Sequence, residues 1–188
     1  QDHEEVLLFL GERALLGDLE EFGNGLFVFV VFAAHGGGEL DEVVAVGAAV
    51  EAFCIGDRVM GVTRFGGYAT VIDSAQEYVH LIPSGWDDAE GAAFLAQTMT
   101  AWYALKTLGD IQPGHQVLIH SAAGGVGLQA MRLARAVGAE PIGSVGTEEK
   151  VSLLRAEGFA DVLVRERSFS AQLRGQAKRF DLVLDAIG

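Results

Sequence analysis

The stretch HSAAGGVG, residues 120–127, follows the apolar run Val117-Leu118-Ile119 and leads into LQAMRLARAVG, residues 128–138. That second stretch is amphipathic and stops at Gly138. Strand, glycine turn and helix in this order open a dinucleotide-binding βαβ unit. Gly124 permits a backbone approach that a Cβ would block, and Gly127 lets the helix pack close to the strand. Ala122 stands where the fingerprint has its first glycine. The helix N-terminus then presents unbonded N–H groups and a partial positive charge to a pyrophosphate. A tight strand-to-helix turn with no ligand is the alternative reading.

Outward from this turn the chain has two textures. Residues 1–92 are rich in glycine and β-branched residues, with strand-like pieces at VVAVG, DRVMGVT and YATVI, as in a β-rich domain. Residues 26–34, LFVFVVFAA, form the longest apolar run, about half a membrane span, and are read as a buried strand. DDAEGAAFLAQTMTAWYALKTLG, from Asp87, predicts one or two helices with Asp87 as N-cap and Gly109 as the stop. Trp102 and Tyr103, on that apolar helix, are assigned to the core. Residues 93–188 form the second domain. In it, strands at 116–120, 140–144, 161–164 and 180–185 alternate with helices at 125–137, 148–157 and 169–177. That alternation predicts an α/β fold with a parallel sheet covered by helices. Four strands are present where a dinucleotide usually lies across six, so the doubly wound sheet is expected to be truncated.

The formal net charge of −13 argues against nucleic acid or an anionic membrane as a partner. Acids crowd the first 58 residues, where Arg13 and Arg58 are the sole bases, and read as a solvated face. The single cysteine, Cys54, excludes an intramolecular disulfide and any multi-thiolate zinc site, so a reducing cytoplasm is the expected compartment. No basic n-region precedes residues 26–34, so they do not read as a signal peptide. Gln1 in place of a methionine is read as a processed or incomplete product.

A second marker sits at the end of the second strand. NAD-binding units place a carboxylate about 20 residues after the glycine turn, to accept the ribose 2′-OH. Counting from Gly124, that position is Ser144, and no carboxylate lies between Pro141 and Thr147. A carboxylate would repel a 2′-phosphate, whereas a hydroxyl, glycine N–H groups and a cation favour one. Lys150 supplies the cation one turn into the next helix, and Arg165 stands at the end of the third strand. NADPH is therefore the expected cofactor. The alternatives are an ordinary exposed lysine at 150 and an ion pair of Arg165 with Glu166.

GDRVMG (56–61), GGYAT (66–70), EGAAFL (90–95), MTAWYAL (99–105), AAGGVG (122–127) and GSVGTEEK (143–150), in that order, resemble the zinc-free quinone oxidoreductases of the medium-chain dehydrogenase/reductase superfamily. The resemblance implies a GroES-like catalytic domain, residues 1–92, joined to a Rossmann NADP-binding domain, residues 93–188. It implies hydride transfer from NADPH to a quinone or an α,β-unsaturated carbonyl. It also implies that Ala123, Gly124, Gly125, Val126 and Gly127 hold the pyrophosphate, and Gly146 with Lys150 the 2′-phosphate. Arg165 stands where the family often has a tyrosine flanking the adenosine, and Thr100 where a relative's threonine lies near the nicotinamide. Members often form homodimers through Rossmann edge strands, which here would lie beyond Gly188.

The chain departs from the family in two places. Zinc-dependent relatives carry a GHE motif and several cysteines; AHGGGELDE offers only His35 and Glu39 in a shifted register, so no metal is expected. The family's GxNxxD is matched by GLFVFVVFAAHG, residues 25–36, with Phe27 and Val30 in place of Asn and Asp. Tyr68 is the one phenol placed as a candidate proton donor, against a packed strand position. His115 and His120 flank the first Rossmann strand without a partner acid. Two further readings stand beside the enzyme: a catalytically silent nucleotide-binding or interaction protein, and an inactive partial chain.

Overall fold

The computed structural model describes residues 27–31, 42–62, 71–165, 169–175 and 179–185, and for residues 27–31, 172 and 175 the backbone alone. Tyr68, His35 and Glu39 lie outside the described residues, as does Glu166. The chain divides into two compact units, Gln1–Ala92 and Ala93–Gly188.

In the first unit, β1 (Phe27–Val31) lies between β2 (Glu42–Val46) and β4 (Val71–Ala75), antiparallel to both. Phe27 pairs with Ala75 and Val30 with Ile72, and the β1–β2 register slips between Phe29 and Val30. A second antiparallel pair joins β3 (Val59–Gly61) to β5 (Val79–Leu81). Val43, Phe53, Val59 and Val79 make the core of this unit. β5 escapes sequence reading because it is three residues long and only Val79 of it is buried.

Helix α1 (Asp88–Trp102) begins in a capping box. Asp87 Oδ1 accepts from the Glu90 N–H at 2.8 Å, and Glu90 Oε2 accepts from the Asp87 N–H at 2.9 Å. Two orphan donors of the first turn are thereby satisfied. Arg58 ties this start to β3, donating from Nη1 to the Trp86 carbonyl at 3.0 Å and from Nε to Asp88 Oδ1 at 3.1 Å. The helix widens into a π-helical segment, Tyr103–Leu108, and stops at Gly109. Trp102 and Tyr103 are not core: they are 48% and 56% exposed, with Met99 and Leu108 also exposed. Apolar residues are spread around the helix axis, and Ala101 and Leu105 are the ones that join the core of the second unit. Residues 102 and 103 lie about 100° and 200° around the axis from Ala101, away from that contact.

The second unit is an α/β layer structure. Its sheet is parallel, in the order β8-β7-β6-β9, with β6 (Gln116–His120), β7 (Glu140–Val145), β8 (Val162–Val164) and β9 (Leu182–Leu184). Three helices alternate with these strands: α2 (Gly125–Val137), α3 (Glu148–Ala156) and α4 (Phe169–Gly175). Val117, Leu118 and Ile119 are all buried, as both faces of a parallel sheet require. α2 buries Gly127, Ala130, Met131 and Ala134, which share one helical face. Gly138, at φ +86°, caps α2 in the left-handed region.

Chain order runs outward from β6 to β7 and β8, then returns to β9 on the other edge of β6. Asp181 anchors that return: its carboxylate accepts from the Gln116 N–H at 2.8 Å and its N–H donates to the Gln116 carbonyl at 2.9 Å. The reversal creates a switch point at the carboxyl end of β6, where open α/β sheets bind their ligands. The glycine turn lies at that end.

Candidate functional site

β6 ends at His120, and the chain turns through Ser121, Ala122, Ala123 and Gly124 before α2 begins. Ser121 takes φ +52°, a rare conformation for a residue with a Cβ. The Gly124 N–H donates to the Ser121 carbonyl at 2.8 Å, and the Leu128 N–H to the Gly124 carbonyl at 2.8 Å. Gly124 is the N-cap and offers no side chain to the first turn of α2. The N–H groups of that turn, residues 125–127, therefore have no intrahelical acceptor and point out of the helix end.

Each glycine in the turn answers a different neighbour. A Cβ at Gly127 would strike the Ser121 carbonyl oxygen and lie 2.8 Å from the Ala122 Cα, all rigid backbone. A Cβ at Gly125 would overlap the Gln97 carboxamide, the flexible end of a side chain on α1. At Gly124 it would meet Ser121 O at 3.2 Å. Ala122, in the place of the fingerprint's first glycine, is fully buried. Its methyl is accommodated because residue 143 opposite is glycine, where a Cβ would come within 2.9 Å of it.

A pocket opens beside the turn, lined by Ser121, Ala123, Gly124, Val145, Gly146, Lys150 and Arg165. About 70 Å³ lies between these residues, open to solvent on one side. Strand β7 delivers Val145, Gly146 follows directly after it, and the first turn of α3 delivers Lys150. Arg165 comes just after β8, its N–H bonded to the Val145 carbonyl at 2.8 Å and its guanidinium beside Gly146. Two cations thus converge on a lining that contains no carboxylate. Among the described residues, neither Lys150 nor Arg165 has a side-chain hydrogen bond or ion pair.

Five residues singled out from the sequence, Ala123, Gly124, Gly146, Lys150 and Arg165, meet in this pocket. Gly125, Val126 and Gly127 form the adjoining helical turn. Ser144 does not reach the lining. It is fully buried, and its hydroxyl shares a 2.7 Å hydrogen bond with His120 Nδ1. β7 runs to Val145, so the residue counted from Gly124 is still inside the sheet. Thr100 lies on α1, exposed, donating its hydroxyl to the Ala96 carbonyl at 2.7 Å, away from the pocket lining. Ser121 and Val145 also line the pocket, and neither residue type signals such a role in the sequence. His115 Nδ1 accepts from the Gln112 N–H at 3.3 Å. Among the described residues no three His, Cys, Asp or Glu side chains cluster as metal ligands, and no helix is long and apolar enough to cross a membrane.

Residues 125–188 match the zinc-binding dehydrogenase family. Over 148 residues, 77% of this chain, the sequence is 38% identical to a mycocerosic acid synthase-like polyketide synthase of Mycobacterium tuberculosis, of which it covers 7%. Among solved structures it resembles the CurK enoyl reductase, with 32% identity and a TM-score of 0.71, covering 79% of this chain and 45% of that one. It also resembles the Escherichia coli quinone oxidoreductase complexed with NADPH, with 27% identity and a TM-score of 0.70, covering 87% and 58%. The chain therefore spans about half the length of these structures and a small part of the synthase. Its second unit, with the sheet order and glycine turn described, is thus similar over residues 125–188 to the zinc-binding dehydrogenase family and in fold to these reductases.

Proposed function

We propose that the chain binds NADPH and serves in a metal-free reduction of an α,β-unsaturated carbonyl. The observation that carries this reading is the convergence of Lys150, Arg165 and Gly146 on one pocket beside the open N-terminus of α2. The Lys150 and Arg165 side of the lining suits a 2′-phosphate: two positive side chains and no carboxylate. Ala123, Gly124 and the N–H groups of 125–127 hold the pyrophosphate, where the helix dipole favours negative charge. Val145 walls the adenosine side. Thr100 retains acceptor capacity on its oxygen for a donor near the nicotinamide. Tyr68 is the candidate proton donor of the first unit, which we take as a GroES-like catalytic domain over residues 1–92, with residues 93–188 the NADP-binding domain. When bound, NADPH supplies the hydride; the protein positions and polarises.

Polyketide synthase and enoyl reductase relatives, at 38% and 32% identity, favour an enoyl acceptor over a quinone, for which the relative is 27% identical. The single Cys54 fits a cytoplasmic enzyme, and pairing as a homodimer accords with the family habit.

Fluorescence titration with NADPH and with NADH tests the cofactor reading. Enhancement with NADPH at concentrations where NADH gives none is the expected result; no enhancement with either refutes it. NADPH oxidation is then monitored with an enoyl thioester and with a benzoquinone. Faster turnover of the thioester is expected. Binding without turnover of either acceptor reassigns the chain to silent nucleotide-binding proteins.

A further inference from the structure

At its carboxyl end the sheet holds a buried polar pair with no place among the cofactor contacts. His120 and Ser144 are register partners on β6 and β7. Each stands at or next to the carboxyl end of its strand, and their side chains share a 2.7 Å hydrogen bond. Ser144 is the one fully buried polar residue among the described residues. The Phe169 ring of α4 also packs against the His120 ring in a T-shaped contact, 5.5 Å between centroids. A buried hydroxyl that loses its partner is costly, so this pair has one stable arrangement.

Both residues lie immediately upstream of the pocket walls. The turn next to His120 supplies Ser121, Ala123 and Gly124 to one wall. Val145 and Gly146, next to Ser144, form the facing wall with Lys150 and Arg165. The Ala122 N–H donates to the Ser144 carbonyl at 3.1 Å, a second link at the same level. The β6–β7 ladder ends here, and the side-chain bond and this backbone bond tie the two walls together at their base.

We infer that His120 and Ser144 are positioning residues that hold the pyrophosphate cradle and the 2′-phosphate wall at the spacing one dinucleotide bridges. This role rests on NADPH being the cofactor. A ligand that engages two linked subsites gains affinity only while their separation matches its own length. A fragment that touches one wall is indifferent to the separation. Loosening the pair therefore costs NADPH and spares adenosine 2′-phosphate, a pattern that general loss of folding does not produce.

The test measures dissociation constants of NADPH and of adenosine 2′-phosphate for the unaltered chain and for Ser144→Ala, His120→Phe and His120→Asn. His120→Phe keeps the ring contact with Phe169 and removes the nitrogen. His120→Asn places an amide near the position of Nδ1. The expected result is NADPH binding five- to twentyfold weaker in Ser144→Ala and His120→Phe. Adenosine 2′-phosphate should stay within twofold, and His120→Asn should recover NADPH to within threefold of the unaltered chain. NADPH affinity within twofold in both disrupting variants overturns the inference, as does an equal loss for both ligands. Absence of NADPH binding to the unaltered chain overturns the cofactor reading itself and is distinguished by that control.

Discussion

Two glycines two residues apart in the same helical turn should respond in opposite ways to alanine. At Gly127 the new methyl would fall on the Ser121 carbonyl and within 2.8 Å of Ala122 Cα and Ser121 C. All three are backbone, locked between β6 and α2 by the Gly124 N–H to Ser121 carbonyl bond. Overpacking of this kind costs about 1–3 kcal/mol, and rigid backbone on every side puts Gly127→Ala near the upper figure. Helix propensity returns about 1 kcal/mol. The net loss is about 2 kcal/mol. At Gly125 the three atoms nearest the methyl all belong to the Gln97 carboxamide, the flexible end of a side chain. Loss of that contact roughly cancels the propensity gain, so Gly125→Ala stays within about 0.5 kcal/mol of the unaltered chain. Urea unfolding monitored by circular dichroism reads both: Gly127→Ala lowers the midpoint at constant slope, and Gly125→Ala leaves it in place. Equal stability of the two variants would refute the claim that Gly127 exists for close packing of helix on turn.

The other expectations concern charge and capping. Lys150→Ala should weaken NADPH by about 1.5–3 kcal/mol, the worth of a charged hydrogen bond, and leave NADH nearly unchanged; equal losses for both cofactors in a fluorescence titration reject the phosphate assignment. The preference for NADPH over NADH should shrink as salt rises from 0.05 to about 0.5 M, because Lys150 is exposed to solvent and its attraction is screened. Asp87→Ala removes the acceptor of the α1 capping box and should cost about 0.5–2 kcal/mol in thermal or urea unfolding. Arg58→Met should lower stability by about 1–2 kcal/mol, since it leaves the Trp86 carbonyl and the partly exposed Asp88 without their donor; an unchanged midpoint would show that the tie to α1 contributes nothing.

Much of the second unit was legible because its signals are local. The run Val117-Leu118-Ile119, the glycine turn and the periodic face of 127–134 place β6 and α2 within a residue of where they lie. Lys150 is legible as the cation one turn into the helix after β7, in a stretch without a carboxylate. Ser144 is legible by a count of about 20 residues from Gly124, yet its hydroxyl faces His120 inside the sheet. The count gives distance along the chain, and one additional strand residue decides whether a side chain meets solvent or core. Trp102 and Tyr103 misled for a related reason. An apolar helix states that some face is buried, and only its neighbours decide which.

By itself the sequence determined what nearest neighbours and periodicity control: the alternation of strand and helix, the parallel sheet that helical crossovers impose, and an N-terminus of α2 bare of side-chain caps. Tertiary structure alone decided what depends on segments far apart in the chain. It brought Arg165 to Gly146 and Lys150 to Ser121, and it let Ala122 replace a glycine because residue 143 lacks a Cβ. It also joined His120 to Ser144 across two strands. The physical reason is common to all of them. Propensity and pattern act over a few residues, whereas the gap between two walls of a pocket is set by strand register and by packing against partners that no local stretch encodes.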